Sequence, residues 1–192
     1  KGVPAPITNG GLNEYGVAVR DIWSTSRQEL IDMTPTTQSG PNYSDLARFV
    51  LERAETARQG VELIGALIGE FGESTYGGNS HLIADDDEAW VVIQFAGGQG
   101  LWAAERLGDN SIRASRPGYI LSVPIDQLEH PDYLYSSNFV SFAVSKGWFN
   151  SDRDMEFNAN LIYGDGKQKW DGVKWIESQM LDLASRPERI GI

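Results

Sequence analysis

Asn79, Ser80 and His81 stand side by side just ahead of an apolar segment, and their types invite a chemical reading. A histidine next to a hydroxyl offers a general base beside a weak nucleophile. Ser80 does not sit in a nucleophile elbow, and cysteine is absent from the chain. His81 and His130 are the only histidines. A cysteine nucleophile, a zinc–thiolate site, a disulfide framework and a multi-histidine metal centre are therefore not available from these residues. His81 reads as a satisfied structural histidine. Arg27 and Arg116 lie in loops between apolar segments, where a guanidinium fork can hold a carboxylate. Trp23 opens a long polar loop, where an aromatic side chain can wall a pocket.

Two other runs lose their chemistry on inspection. Asp85-Asp86-Asp87-Glu88 suggests calcium, but an EF-hand loop needs glycine at its sixth position, and Trp90 stands there. Gly97-Gly98-Gln99-Gly100 suggests a phosphate cradle, but Leu101-Trp102-Ala103-Ala104 after it reads as a strand and not as a helix. Both are expected to be hairpin turns.

The elements that must position these residues are set by periodicity. Residues 7–21 read as two short strands around turns at Asn9-Gly10-Gly11 and Glu14-Tyr15-Gly16, with Val17, Ala18 and Val19 buried. Residues 24–43 read as a long loop. Ser44 is expected to cap a helix carrying Leu46, Phe49, Val50, Ala54 and Ala57 in phase. A second helix carries Val61, Ile64, Leu67, Ile68 and Phe71. Its Gly65 and Gly69 would allow close approach to a sheet, and Gly72 ends it. Strands are expected at residues 82–84, 90–95, 101–107 and 112–123. The run at 90–95 hardly alternates, as in a strand buried on both faces. Helices are expected at residues 137–146 and 171–184, and residues 155–163 fit either type. The fold class is α+β, with a layer on each face of the sheet.

With 192 residues and no cysteine, the chain is long enough to bury a core without covalent staples. Its formal net charge of −11 disfavours nucleic acid and anionic membranes as partners. No apolar run approaches the roughly 20 residues of a membrane span. A soluble protein is expected, with the cytoplasm favoured.

Two stretches resemble the C69 dipeptidase family of N-terminal-nucleophile hydrolases. One is TNGGLNEYGVAV, residues 8–19, and the other is GNSHLIADDDEAWVV, residues 78–92, running on to LWAAERL. The helix ARQGVELIGALIGEFG resembles the segment this family places before its N-S-x-L-I-A-D strand. The resemblance covers residues 9–142. It implies a four-layer αββα sandwich and hydrolysis of an amide bond, with no cofactor or metal. An N-terminal cysteine attacks the carbonyl, and its own α-amino group acts as base. Position 1 here is lysine, so the expectation is a single partial domain over residues 1–192, a non-nucleophile subunit or processed chain whose cysteine comes from a partner chain.

By the same resemblance, oxyanion or substrate contacts are expected near Asp21, Ile22 and Trp23, and again near Ser115 and Arg116, where arginine replaces the family's asparagine. Asn79 is expected to hydrogen-bond near the nucleophile's site; His81 is a further candidate contact, read as structural and not as a base, because this chemistry carries its own base. Gln94 stands where the family often has glutamate. The expected substrate is a dipeptide or related small amide. An acylase or amidase for a non-peptide amide, and an inactive binding relative, are the alternatives.

Overall fold

The computed structural model describes residues 9–113, 120–127, 129–167 and 171–185. Five strands form an unbroken antiparallel succession: β1 Gly10–Leu12, β2 Ala18–Trp23, β3 Asn79–Ala84, β4 Ala89–Gln94 and β5 Trp102–Arg106. Between β2 and β3 the chain forms α1 Gln28–Met33, α2 Tyr43–Arg53 and α3 Ala57–Phe71. After β5 come β6 Ser122–Val123, β7 Tyr133–Tyr135, α4 Phe139–Ser145, β8 Phe157–Asn158, α5 Ala159–Ile162 and α6 Asp171–Ala184. The main sheet has the order β1-β2-β3-β4-β5-β7, and β6 pairs with β8 in a small sheet of its own. The α+β class is evident in this mixture of helices and antiparallel strands.

The strand register explains why β4 scarcely alternates. Trp90 and Val92 share one face with Ile83, Val19 and Ala104, where Leu46 and Val50 of α2 and Val61, Ile64 and Ile68 of α3 complete a buried cluster. Val91 and Ile93 point the other way with Ala103. They meet Leu30 of α1, Phe139 and Ala143 of α4, Val123 and Phe157 of the small sheet, and Tyr163. Burying a large apolar side chain contributes about 1.5–3 kcal/mol, so both coverings are needed to hold the central strand. Gly65 permits the close approach of α3: a Cβ there would lie 2.2 Å from Cζ2 of Trp102 on β5. Gly69 faces open space instead.

The acidic turn Asp85-Asp86-Asp87-Glu88 joins β3 to β4, and its carboxylates act at a distance in sequence. Asp85 Oδ2 accepts from the amide of Ala57 at 2.6 Å, and Glu88 Oε1 from that of Arg58 at 3.1 Å. Both amides belong to the first turn of α3, where orphan N–H groups and the helix dipole favour negative charge.

Several expectations are corrected. The stretch 24–43 is not all loop: α1 forms there because Leu30 is fully buried against β4. Tertiary burial overrides a sequence rich in loop formers. The cap of α2 is Asn42 and not Ser44; Asn42 Oδ1 accepts from Ser44 and Asp45, and the Asp45 carboxylate accepts in turn from the Asn42 amide. Of residues 112–123, the strand is confined to Ser122–Val123 among the described residues, and it leaves the main sheet for β8. The sixth strand of the main sheet is β7, a three-residue segment behind Pro131 too short to show alternation. Residues 155–163 divide between β8 and α5.

Candidate functional site

The hairpin of β1 and β2 is held by one side chain. Asn13 Oδ1 accepts from the amides of Tyr15 and Val17, and its Nδ2 donates to Leu51 O and Ala54 O at the end of α2. It therefore closes the turn and satisfies two carbonyls that the helix cannot. This fixes the far end of β2 beside β3, with Trp23 opposite Asn79 and Asp21 opposite His81.

Where β2 ends and β3 begins, the sheet opens into a cleft of about 530 Å³. Arg20, Asp21, Ile22 and Trp23 line one side, and Thr75, Tyr76, Gly77, Gly78 and Asn79 the other, with Asn9 and Tyr43 closing it. The 75–78 loop is pinned at several points. Thr75 donates its amide to Gln38 Oε1 at 2.7 Å, and Thr75 Oγ1 accepts from Gly78 at 2.9 Å. Gly77 O accepts from the amide of Ser26 at 2.7 Å. Gly78 takes φ +104°, and a Cβ there would lie 2.6 Å from Ser26 Oγ and 2.7 Å from Ser24 O. Only glycine fits both the backbone angle and the space.

His81 lies beneath the cleft, fully buried. Its Nε2 is 2.9 Å from Tyr43 O, an acceptor, so Nε2 carries the proton. Nδ1 is then the acceptor, and Gln94 Nε2 donates to it at 3.0 Å. Burial holds the imidazole's pKa below its ordinary value, although the hydrogen bonds and Asp21 act against that shift. A neutral ring with both nitrogens engaged positions Tyr43, at the start of α2, against the cleft. Ser80 Oγ is 2.6 Å from Ser24 Oγ in the interior, so the two hydroxyls engage each other.

Asp21 is 7% exposed. Its amide N–H donates to Asn9 O at 2.9 Å. Burial pushes the carboxyl's pKa up, partly offset by His81, Arg20 and hydrogen bonds. Oδ1 is buried without a hydrogen-bond partner. Trp23 is 58% exposed and Tyr76 92%, so aromatic surface stands at the mouth.

The structure thus gathers Asp21, Ile22, Trp23 and Asn79 around one cleft, with His81 supporting it. Ser115 and Arg116 lie outside the described residues. Arg27 is not a free carboxylate grip. Its Nη1 donates to Ile162 O at 2.8 Å, its Nε and Nη2 to Glu29 at 3.1 and 3.0 Å, and it stacks 3.9 Å above Trp148. Asn9, Arg20, Tyr43, Thr75, Tyr76, Gly77 and Gly78 escaped sequence reasoning. Only the Gly77-Gly78 pair carried a local signal, as a turn before a strand. No group of three or more metal-binding side chains occurs among the described residues. No helix among them is long and apolar enough to cross a membrane.

An antiparallel sheet covered on both faces, with an aromatic-mouthed cleft of mixed polar and apolar lining where two strands end, is suited to holding a small molecule. The chain belongs to peptidase family C69, whose sequence pattern matches residues 5–173. The protein named probable dipeptidase B of Lactococcus lactis subsp. lactis (strain IL1403) is 27% identical over 165 residues, which cover 83% of this chain and 33% of that relative. The protein of the same name from Streptococcus pyogenes serotype M3 (strain ATCC BAA-595 / MGAS315) is 34% identical over 90 residues, covering 46% of this chain and 18% of the relative. The matched part spans a third or less of these relatives' own length.

Proposed function

We propose that residues 1–192 form one partial domain of a cysteine amide hydrolase that acts on dipeptides or related small amides. The observation that carries the reading is the position of the cleft. It lies at the junction of the two family-like stretches, N-E-Y-G-V-A-V and N-S-H-L-I-A-D, within a C69 match covering most of the chain. These residues contain no cysteine. The nucleophile is therefore supplied from outside residues 1–192. The chain's own share of the work is positioning. The ends of β2 and β3 hold the substrate, with Asn79 near the incoming nucleophile and the oxyanion contacts near Asp21, Ile22 and Trp23.

Two features support the αββα arrangement for the domain. Helices α2 and α3 cover one face of the main sheet. On the other face the small β6–β8 sheet contributes Val123 and Phe157 to the same core as Val91 and Ile93. Gln94 does not favour the acylase alternative, because its amide is spent on His81 and does not line the cleft.

The test is a substrate panel on the native preparation containing this chain, with dipeptides set against N-acyl amino acids and simple carboxamides. Release of amino acids from dipeptides is expected. Turnover of simple carboxamides or N-acyl amino acids with none of dipeptides would contradict the substrate assignment, and no turnover at all would contradict the enzyme reading.

A further inference from the structure

We infer that Trp23 and Tyr76 form an aromatic subsite at the mouth of the cleft that takes one large apolar side chain of the substrate, so that the enzyme favours dipeptides carrying a phenyl or long aliphatic group over those built of small residues. The inference deepens the dipeptide reading above and rests on it. Polar groups from Asn9, Asp21 and Asn79 share the cleft with apolar surface from Ile22, Trp23 and Tyr76. Large rings in the core are spent on one another: the centroids of Phe139 and Phe157 lie 5.0 Å apart, and those of Phe95 and Tyr163 5.1 Å. Trp23 and Tyr76 enter no such ring contact among the described residues, and both stand exposed. Their burial against a ligand is therefore a stabilisation that the chain itself leaves unused. What separates them from Trp175 of α6, which is also exposed, is their place on the cleft. The backbone beneath both rings is held. Trp23 ends β2, paired opposite Asn79. Tyr76 lies between Thr75, whose amide donates to Gln38 Oε1, and Gly77, whose carbonyl accepts from the amide of Ser26. Rings on a held backbone lose little freedom when a ligand seats against them, because few side-chain torsions remain to be fixed. A phenyl or isobutyl group gains ring contact there and sheds water. A methyl group or a hydrogen is too small to do either.

The experiment measures kcat/KM of the native enzyme on alanylalanine, phenylalanylalanine and alanylphenylalanine, and repeats it with Tyr76→Ala, Tyr76→Phe and Trp23→Ala, with thermal melts to confirm that each variant is folded. The wild type is expected to cleave one of the two phenyl-bearing dipeptides ~10- to 100-fold better than alanylalanine. Tyr76→Ala and Trp23→Ala should each reduce that ratio by about 3- to 10-fold. Tyr76→Phe should keep it, because the ring and not the hydroxyl makes the contact. A wild type that cleaves all three dipeptides equally keeps the dipeptidase reading and overturns the aromatic subsite. A preference that survives intact in both alanine variants also overturns it. A wild type that cleaves none of the three overturns the function proposed above, and this inference with it. If Trp23→Ala does not fold, Tyr76→Ala still decides, since the Tyr76 side chain is 92% exposed.

Discussion

Replacing His81 with glutamine removes the one buried imidazole among the described residues, and the structure fixes both the sign and the ceiling of the effect on pH stability. In the folded protein the ring is neutral, its pKa held below the usual 6.5 by burial, while in the unfolded chain it titrates normally. The folded state therefore binds fewer protons, and stability from this group is fully present above pH 6.5 and is lost as pH falls toward the folded pKa. The slope cannot exceed ~1.4 kcal/mol per pH unit, which gives a loss of up to about 2 kcal/mol at pH 5. The raw profile of the wild type will not show it cleanly. Glu73, half-buried with its carboxyl Oε1 shut away from solvent and its pKa pushed up to about 8, acts in the opposite sense over the same interval, because its folded form holds a proton that the unfolded chain has released. The assay is urea denaturation of wild type and His81→Gln from pH 5 to pH 8, read as the difference between them at each pH. Glutamine retains a donor for Tyr43 O and has no titration. The wild type's advantage should shrink steadily below pH 6.5. A difference that stays constant from pH 5 to pH 8 would refute a neutral, proton-excluding His81, and with it the tautomer assigned above.

The remaining expectations can be checked on the same preparation. Glu73→Gln should stabilise the protein increasingly as pH rises from about 4.5 to about 8, by up to ~4 kcal/mol at pH 8 and by little near pH 4.5, because the folded carboxyl holds a proton that the unfolded chain releases over that interval; equal effects at both pH values would contradict the raised carboxyl. Asn13→Ala removes four hydrogen bonds and should cost about 2–4 kcal/mol in urea unfolding with an unchanged m-value; a cost below ~0.5 kcal/mol would mean the hairpin does not depend on it. Gly65→Ala should destabilise by roughly 1–3 kcal/mol through its clash with Trp102, whereas Gly69→Ala, facing open space, should raise stability by up to about 1 kcal/mol. The two melting temperatures should move in opposite directions.

Much of the sheet was legible because its signals are local. The doubly apolar run at Trp90–Ile93, the acidic turn after β3 and the glycine turn after β4 mark three strands without reference to anything distant. The helices α2 and α3 were also plain in phase, although the cap of α2 lay two residues earlier than its serine suggested, and Ala57, read as part of α2, opens α3 instead. What was hidden is what depends on tertiary contact. Helix α1 exists because Leu30 finds a pocket on β4, and β7 because β5 offers it an edge; neither has enough residues to announce itself. The site shows the same division. Asp21 and Asn79 were reachable only through the family resemblance, and Trp23 also because it opens a polar loop. Tyr43 and Tyr76 come from separate segments, and their meeting at the cleft is set by His81 reaching Tyr43 O and by Thr75 anchoring to Gln38. The side-chain use of Asp85 and Glu88 as caps for α3 was likewise invisible, since the sequence shows four acids but not the helix end they meet.

If this chain shapes the substrate cleft of an amide hydrolase, the reacting cysteine lies outside residues 1–192. The most direct test is to inactivate the native enzyme with a dipeptide-like electrophile and to map the modified residue by peptide mass spectrometry. One modified cysteine outside these residues is expected, appearing in step with loss of activity, with protection by a free dipeptide. Inactivation that tracks modification of a residue within this chain, or full labelling with activity intact, would contradict that assignment.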